Sequence, residues 1–250
     1  MTTPSVSIVI PAYNEGDKAI PGLRGIHNLV ATSNEILVVV DNESDTTAPS
    51  VRELSKEIPS IKLLINTYGP GPANAIRFGI QNSRAATVIV SMADGCDDAS
   101  QIDELTRLVE RGVVIASASR YMPGGQQVGG PRLKRTLSKL AGRTFAFLTG
   151  VGTRDVTNSF KAYNRLFVES VKIHSKDGFE IGIELVAKAR RLNEPVAEIP
   201  TTWIDRSFGK SNFQLTKWLP SYLKWYLFGL GFEKIHSEAA KTLKTIRGKS

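Results

Sequence analysis

VSIVIPAYNE, at residues 6–15, is an apolar run rich in β-branched residues that ends in a polar cluster. Three similar runs follow at intervals of about 25 to 30 residues: EILVVVD at 35–41, IKLLIN at 61–66 and ATVIVSMAD at 86–94. Amphipathic segments fill the intervals, which is the pattern of βα units in a largely parallel sheet buried on both faces. The spacing therefore predicts an α/β fold.

The second half of the chain continues this alternation. SQIDELTRLVERG at 100–112 predicts a helix with Ser100 as its N-cap, and GVVIASASR at 112–120 predicts a fifth strand. The glycine- and proline-rich MPGGQQVGGP at 122–131 predicts a loop. Later patterns predict a basic helix at 132–148, a helix at 178–192 and a strand at 196–204.

Length and cysteine content bound the class of protein. The 250 residues suffice for one large α/β domain, and the one cysteine, Cys96, excludes an intramolecular disulfide and a zinc site of paired thiols. We expect a reducing compartment, the cytoplasm. No segment reaches the roughly 20 apolar residues of a membrane-spanning helix, and we expect no signal peptide. The predicted organisation is one catalytic domain over 1–213 and an amphipathic helical C-terminal appendage over 214–250.

Positive charge is concentrated in two parts of the chain, whose formal net charge is +8. The segment at 131–143 has five basic residues and no acidic one, and residues 213–250 carry seven basic residues against two glutamates. Such patches favour phosphate-bearing partners, although a merely solvated charged face is the alternative. Because no nucleic-acid-binding motif accompanies them, we do not expect nucleic acid as the partner.

The segment FQLTKWLPSYLKWYLFGLGF at 213–232 combines aromatic residues with lysines. This composition suits the interface between a membrane and water. We expect peripheral attachment to the cytoplasmic face of a membrane, or contact with a membrane partner protein. Packing on the chain's own domain or on a second copy is the alternative.

Polar residues follow each of the first four predicted strands. They are Tyr13, Asn14 and Glu15 after the first, Asp41 after the second, Asn66 after the third and Asp94 after the fourth. The carboxyl ends of parallel strands meet at one edge of the sheet, where open α/β folds bind ligands. The three carboxylates Asp94, Asp97 and Asp98 would suit a divalent cation there, or would cap a helix.

The motifs SIVIPAYNE, ILVVVDNESDTT, NTYGPGPANAIRFGI and SASRYMPGG occur in this order, with the acidic strand end between the last two. Together they resemble the family 2 glycosyltransferases with the GT-A-type fold. RDVTNSFKAY, GFEIGIELVAKA and DRSFGKSNF resemble its polyprenyl-phosphate branch, which includes the dolichyl-phosphate mannose synthases. The resemblance runs from about Ser5 to Phe213 and implies a Rossmann-like, mostly parallel sheet with flanking helices.

The resemblance implies a nucleotide-sugar donor bound at the first four strand ends. Tyr13 and Glu15 would lie against the nucleoside, with Pro11 shaping the turn. Asp41 would accept hydrogen bonds from the base, and a turn or N-cap acid is its alternative. Asn66, after the third strand, would also bind the nucleotide-sugar donor.

The family motif Asp-x-Asp-x-Gln, which binds Mg²⁺ or Mn²⁺ on the donor diphosphate, is altered in this chain. In register, its three positions fall on Met92, Asp94 and Cys96. A thioether does not suit a hard cation. The resemblance therefore implies a metal site in which either Asp94 alone anchors a cation held mainly by phosphate and water, or Asp97 or Asp98 joins it.

A lipid phosphate is already an anion near neutral pH, so it needs cationic positioning rather than a general base. The resemblance places Arg206 and Ser211 near this phosphate. Other candidates for phosphate contact are Arg120, Arg135, Lys139, Lys161 and Lys210. An arginine fork suits bidentate phosphate contact.

Asp155 and Glu184 match acidic positions of the family and, with Asp94 and Arg206, are the expected catalytic residues. Asp155 would bind sugar hydroxyls or orient the acceptor region. Glu184 would hold sugar hydroxyls or orient a basic partner, and a salt-bridged acid at the edge of the core is its alternative.

The function implied by the resemblance is inverting transfer of a hexose, from a donor of the GDP-mannose or UDP-glucose type, to a polyprenyl phosphate. Two alternatives stay open. One is transfer to a glycan or lipopolysaccharide hydroxyl, which would require a general base such as Asp155 or Glu184. The other is a non-catalytic nucleotide-sugar-binding module of a membrane complex, which Met92 favours. All three of these functions are compatible with a membrane partner protein or with a homo-oligomer.

Overall fold

The computed structural model describes residues 3–176, 178–205 and 215–232. The strands in these ranges are β1 (Val6–Pro11), β2 (Asn34–Val40), β3 (Ile61–Ile65), β4 (Thr87–Val90), β5 (Ile115–Ser119), β6 (Gln126–Val128), β7 (Lys161–Asn164), β8 (Val196–Pro200) and β9 (Thr202–Ile204). The helices are α1 (Ala19–Leu29), α2 (Thr47–Glu57), α3 (Pro72–Gln81), α4 (Ile102–Glu110), α5 (Arg132–Thr149), α6 (Arg165–Ser170), α7 (Ile181–Arg191) and α8 (Leu215–Leu230).

Seven of the described strands form one sheet in the order β3-β2-β1-β4-β7-β5-β8. Only β7 in this sheet runs antiparallel to its neighbours β4 and β5. The strands β6 and β9 form a separate parallel pair. The carboxyl ends of β1, β2, β3 and β4 consequently lie at one edge, as the spacing of the apolar runs predicts.

Helices cover both faces of the sheet. Leu23 of α1, Val51 of α2 and Leu105 of α4 pack on one face, whereas Ile76 of α3 and Val186 of α7 pack on the other. Burial on both faces explains why the strands are continuous apolar runs rather than alternating patterns. The predicted GT-A-type α/β fold is confirmed.

The structure corrects three local predictions. Ser100 is not the N-cap of α4; its N–H and hydroxyl both donate to Asp98, which caps a short 3₁₀ helix preceding α4. The predicted loop at 122–131 contains β6, whose three residues pair with β9. The strand β7 was not predicted, because a four-residue strand that begins with a lysine lacks the apolar pattern of its neighbours.

The helix α8 packs on the same core as the sheet. Trp225 and Phe228 are buried with residues of α7, and the Tyr226 hydroxyl donates to Thr144 Oγ1 of α5 at 2.8 Å. No helix in the described ranges is long and apolar enough to cross a bilayer. The predicted phosphate contacts Arg206, Lys210 and Ser211, together with residues 233–250, lie outside the described residues.

A buried carboxylate on β2 joins β1, β3 and the segment before β4 at the amino edge of the sheet. Glu35 Oε1 accepts from the Ser7 hydroxyl at 2.7 Å and from the Arg84 N–H at 2.9 Å. Glu35 Oε2 accepts from Lys62 Nζ at 2.8 Å and from Arg84 Nε at 2.9 Å. Burial alone would raise the pKa of Glu35, but these donors together lower it.

Glu35→Gln is expected to lower the free energy of unfolding by about 1–3 kcal/mol at neutral pH, because an amide leaves buried donors unpaired. The lowered pKa of Glu35 means that its contribution is present above the ordinary carboxylate pKa of 4.5 and is lost as the pH falls below it. Urea unfolding at neutral and acidic pH measures both effects. Glu57→Gln, which removes the exposed pair with Arg24, is the matched control. Equal losses in the two variants would contradict the prediction.

Candidate active site

The turn after β1 is bound to the turn after β2. Asn14 has a φ of 53°, a left-handed conformation that asparagine tolerates. Its N–H donates to both oxygens of Asp45, at 3.0 and 3.2 Å, and its Oδ1 accepts from the Thr46 N–H. The Glu15 N–H donates to Thr47 Oγ1 at 3.0 Å. The segment that contains Glu15 is thereby fixed at the carboxyl edge.

Asp41 and Asn66 come together at the ends of β2 and β3. Asn66 Nδ2 donates to Asp41 Oδ1 at 3.2 Å and to the Gly69 carbonyl at 2.6 Å. Asp41 Oδ2 accepts from the Gly71 N–H at 3.0 Å, at the residue that precedes α3. Both carboxylate oxygens of Asp41 therefore order the glycine-rich loop. That Asp41 also accepts hydrogen bonds from a base stays a prediction.

Two tyrosine rings, Tyr13 and Tyr68, are exposed at this edge, after β1 and β3. Tyr68 packs edge-on against Phe78, and the Arg77 guanidinium lies 5.4 Å from the centre of its ring. Pro11 is buried at the end of β1. The geometry leaves Tyr13 accessible to a base, whereas Pro11 fixes the start of the turn.

The aspartates after β4 have distinct contacts. Asp97 Oδ2 accepts from the Ser91 hydroxyl and from the Met92 N–H, both at 3.1 Å, so its carboxylate folds back on the strand end. Asp98 is exposed and accepts from the Ser100 N–H at 3.1 Å and from its hydroxyl at 2.6 Å. These contacts of Asp98 are those of the helix-cap alternative.

Asp94 and Asp97 are close enough to repel each other. Burial and then the negative charge of Asp94 raise the pKa of Asp97 to about 7. Asp94 Oδ1 accepts from the Cys96 N–H at 3.1 Å, and the described residues contain no group of three acid, histidine or cysteine ligands for a metal. A divalent cation would relieve the repulsion, and Mg²⁺ needs only one or two carboxylates when phosphates share its coordination. The residues therefore fit a cation held jointly with a diphosphate.

A buried arginine–aspartate pair lies beside this acidic turn, at the end of β5. Arg120 Nε donates to Asp155 Oδ2 at 2.7 Å, and its Nη2 donates to Asp155 Oδ1 at 2.9 Å. The Arg120 N–H also donates to Asp155 Oδ2, and Asn158 N–H donates to Oδ1. Burial would raise the pKa of Asp155, but the charge and hydrogen bonds of Arg120 lower it. Asp155 thus orients Arg120 and is a weak base.

The basic helix α5 lies directly on this pair. Arg120 Nη2 is 3.4 Å from Ser138 Oγ, and the Arg135 side chain donates to the Gln127 carbonyl at 3.5 Å. The close approach depends on Gly142, where a Cβ would lie 2.1 Å from the carbonyl oxygen of Arg154. Arg120 and Arg135 are therefore brought to one region of the molecule, and their contact with an acceptor phosphate stays a prediction.

Lys161 lies in β7 and is fully buried. Its Nζ donates to the carbonyl of Asn158, and burial lowers its pKa to about 7 despite the opposing charge of Asp155. The side chain lies beneath the arginine–aspartate pair and has no exposed surface. Its contact with an acceptor phosphate stays a prediction.

Lys161→Met is expected to raise the free energy of unfolding most at and below pH 7, with a gain that shrinks as the pH rises. The unfolded lysine keeps its proton up to about 10.5 whereas the folded one loses it near 7, so wild-type stability rises with pH between these values. Guanidinium unfolding of both proteins across this interval measures the difference. A difference that is independent of pH would contradict the lowered pKa.

Glu184 is also fully buried, in α7. Its carboxylate accepts from the backbone N–H groups of His174 at 2.7 Å and Ser175 at 2.8 Å, and it pairs with Lys188 one turn along the helix. These are the contacts of a salt-bridged acid that orders the segment before α7. Glu184 has no exposed surface through which to contact a sugar.

Three residues of this region were not singled out from the sequence. Asp45 holds the Asn14 turn, while Ser138 and Thr157 contact the Arg120 guanidinium. Asp45 has a local signal, since it stands two residues before Thr47 at the start of α2 and accepts from its N–H. Ser138 and Thr157 have none, because their positions depend on how α5 crosses the sheet.

A mostly parallel sheet with helices on both faces and a polar crevice at its carboxyl edge defines an open α/β fold, in which ligands bind at that edge. The family model described as glycosyl transferase family 2 matches residues 7–171. The chain belongs to glycosyl transferase family 2, and it is a glycosyltransferase.

Curated relatives and a solved structure are similar over most of the chain. The polyprenol monophosphomannose synthase of Mycolicibacterium smegmatis is 32% identical over 210 residues, which are 82% of this chain and 79% of the relative. The undecaprenyl-phosphate mannosyltransferase of Micrococcus luteus is 27% identical over 82% of this chain and 86% of its own. The structure of glucosyl-3-phosphoglycerate synthase from Mycobacterium tuberculosis was solved with Mn²⁺, UDP and phosphoglyceric acid. It aligns with 92% of this chain and 80% of its own chain, with a TM-score of 0.64 and 16% sequence identity. This similarity supports the fold.

Proposed function

We propose that the protein transfers a hexose, with inversion, from a nucleotide-diphosphate sugar to a polyprenyl phosphate. The observation that carries this proposal is the Arg120 guanidinium held by Asp155 beside the basic helix α5. A guanidinium oriented in this way suits an anionic phosphate acceptor. The names of the two curated relatives support the same acceptor class and favour mannose as the sugar.

The state of Asp155 and Glu184, the two carboxylates expected as general bases, also favours a phosphate acceptor over a hydroxyl. A hydroxyl acceptor would require a general base with a pKa near neutrality. Asp155 is paired with Arg120 and its pKa is lowered, and Glu184 is buried in a pair with Lys188. A phosphate anion attacks without such a base when it is held in line and desolvated.

The displacement is then a single substitution at the anomeric carbon. An oxygen of the lipid phosphate forms the new bond, the bond from the anomeric carbon to the donor diphosphate breaks, and the nucleoside diphosphate leaves. Tyr13, Glu15, Asp41 and Asn66 bind the donor, and Arg120, Arg135, Arg206 and Ser211 hold the acceptor phosphate. Mg²⁺ or Mn²⁺ held by Asp94, and by Asp97 if it turns toward the donor, would neutralise charge on the leaving diphosphate.

The test is transfer by the purified full chain with Mn²⁺, labelled GDP-mannose or UDP-glucose, and a short-chain polyprenyl phosphate. We expect label in a lipid-soluble phosphodiester with one of the two donors. The corresponding polyprenol, which lacks the phosphate, is the matched acceptor control and should give no product. Transfer to the polyprenol, or the absence of transfer with both donors, would contradict the proposal.

A further inference from the structure

The outer face of α5 exposes an unusual amount of apolar surface. Leu133, Leu137, Leu140, Phe147 and Leu148 are all exposed, and Phe147 is 88% exposed. At 3.6 residues per turn these positions fall within an arc of about 100°. They therefore form an apolar stripe along the helix, which Thr144 interrupts within the same arc.

A second stripe runs along α8. Leu219, Leu223 and Leu227 are exposed and fall within an arc of about 80°. The hydrogen bond from Tyr226 to Thr144 joins the two helices at residues adjoining both stripes. The stripes consequently lie side by side and form one apolar surface, which we call the α5–α8 face. Soluble monomers rarely expose a contiguous apolar patch of more than a few hundred Å².

Basic residues border the α5–α8 face, and neither helix contains an acidic residue. Lys139 and Arg143 are exposed on the flank of α5 that points away from α8. Lys217 and Lys224 are exposed on the far flank of α8. An apolar strip with cations on both sides is the pattern of a helix that lies in the surface of an anionic membrane.

We propose that the α5–α8 face docks on an anionic lipid bilayer, with the apolar stripes inserted among the acyl chains and the flanking cations on the headgroups. The charge pattern distinguishes this occupant from a second copy of the chain, since two copies face to face would bring like charges together.

The docking would place the membrane next to the acceptor site. Ser138 and Gly142 lie on the opposite side of α5 from the apolar stripe and contact Arg120 and the segment containing Asp155. A helix is about 10 Å thick, so Arg120 lies about one helix diameter behind the bilayer surface. This consequence rests on the proposed transfer to a lipid phosphate, whereas the docking itself does not.

The test is co-sedimentation of the full chain with vesicles of phosphatidylcholine alone or mixed with phosphatidylglycerol. We expect binding to the mixed vesicles that weakens with salt, and at least about tenfold weaker partition for the double variant Leu140→Gln/Phe147→Gln. The matched control is Leu29→Gln/Leu166→Gln, which removes two exposed apolar side chains from α1 and α6, away from the α5–α8 face. Because all four residues are exposed, both variants should fold.

Three outcomes would overturn the docking: no binding by the wild type, equal binding by L140Q/F147Q, or a wild-type dimer in solution that L140Q/F147Q dissociates without any vesicle binding. Transfer to a water-soluble short-chain acceptor separates the two proposals. We expect L140Q/F147Q to retain this transfer while losing vesicle binding. If the wild type bound vesicles but showed no transfer, the result would contradict the proposed function and would still support the docking.

Discussion

Arg120→Met is expected to destabilise the protein by about 3–5 kcal/mol, because it leaves the fully buried Asp155 carboxylate without its charged partner. The same change removes the guanidinium that we propose contacts the acceptor phosphate, so transfer should fall by at least about 100-fold. Urea unfolding measures the first effect, and initial rates with a short-chain polyprenyl phosphate measure the second. The initial rates are measured under conditions in which the variant is fully folded.

Two further variants separate binding from folding at Arg120. Arg154→Met breaks the neighbouring pair with Glu198, but Arg154 is half exposed, so the loss should stay below about 1 kcal/mol. The double variant Arg120→Met/Asp155→Asn should recover stability, because the unpaired charge is gone, yet it should not recover transfer. Full transfer by the double variant would show that Arg120 acts only through the fold.

The first four strands of the sheet were predictable from local pattern, but the partners of Arg120 were not. β1 to β4 are apolar on both faces, so their sequences alone indicate buried parallel strands. β7 is different, because its first residue is a lysine that lies fully buried between β4 and β5. A buried ionisable group in a strand has no periodic signal, and only the tertiary structure shows what surrounds it.

The acidic turn was located correctly from sequence, but its three carboxylates could not be told apart. Spacing alone makes Asp94, Asp97 and Asp98 equivalent acids after a strand. The hydrogen bonds distinguish them, since Asp98 caps a short helix and Asp97 binds the backbone at Met92. These bonds depend on the path of the turn, which the positive φ of 70° at Gly95 helps to set.

Asp94→Asn is expected to lower transfer by about 100-fold or more and to abolish the effect of Mn²⁺ on nucleotide binding, because Asp94 is the carboxylate that best fits the cation. The altered family positions at Met92 and Cys96 leave no other oxygen ligand of that motif. A thermal-shift titration with GDP or UDP, with and without Mn²⁺, measures the linkage, since a ligand that binds only the folded state raises its stability.

The other two aspartates provide the controls for Asp94. Asp98→Asn should change transfer by no more than about twofold, because asparagine caps a helix as well as aspartate does. Asp97→Asn keeps an oxygen acceptor for Ser91 and Met92 and removes the repulsion with Asp94, so the variant should bind nucleotide without Mn²⁺ at least as well as the wild type. If Asp97→Asn instead lost the Mn²⁺ effect while Asp94→Asn kept it, Asp97 would be the ligand. Retention of the effect in both variants would exclude a metal site at this turn.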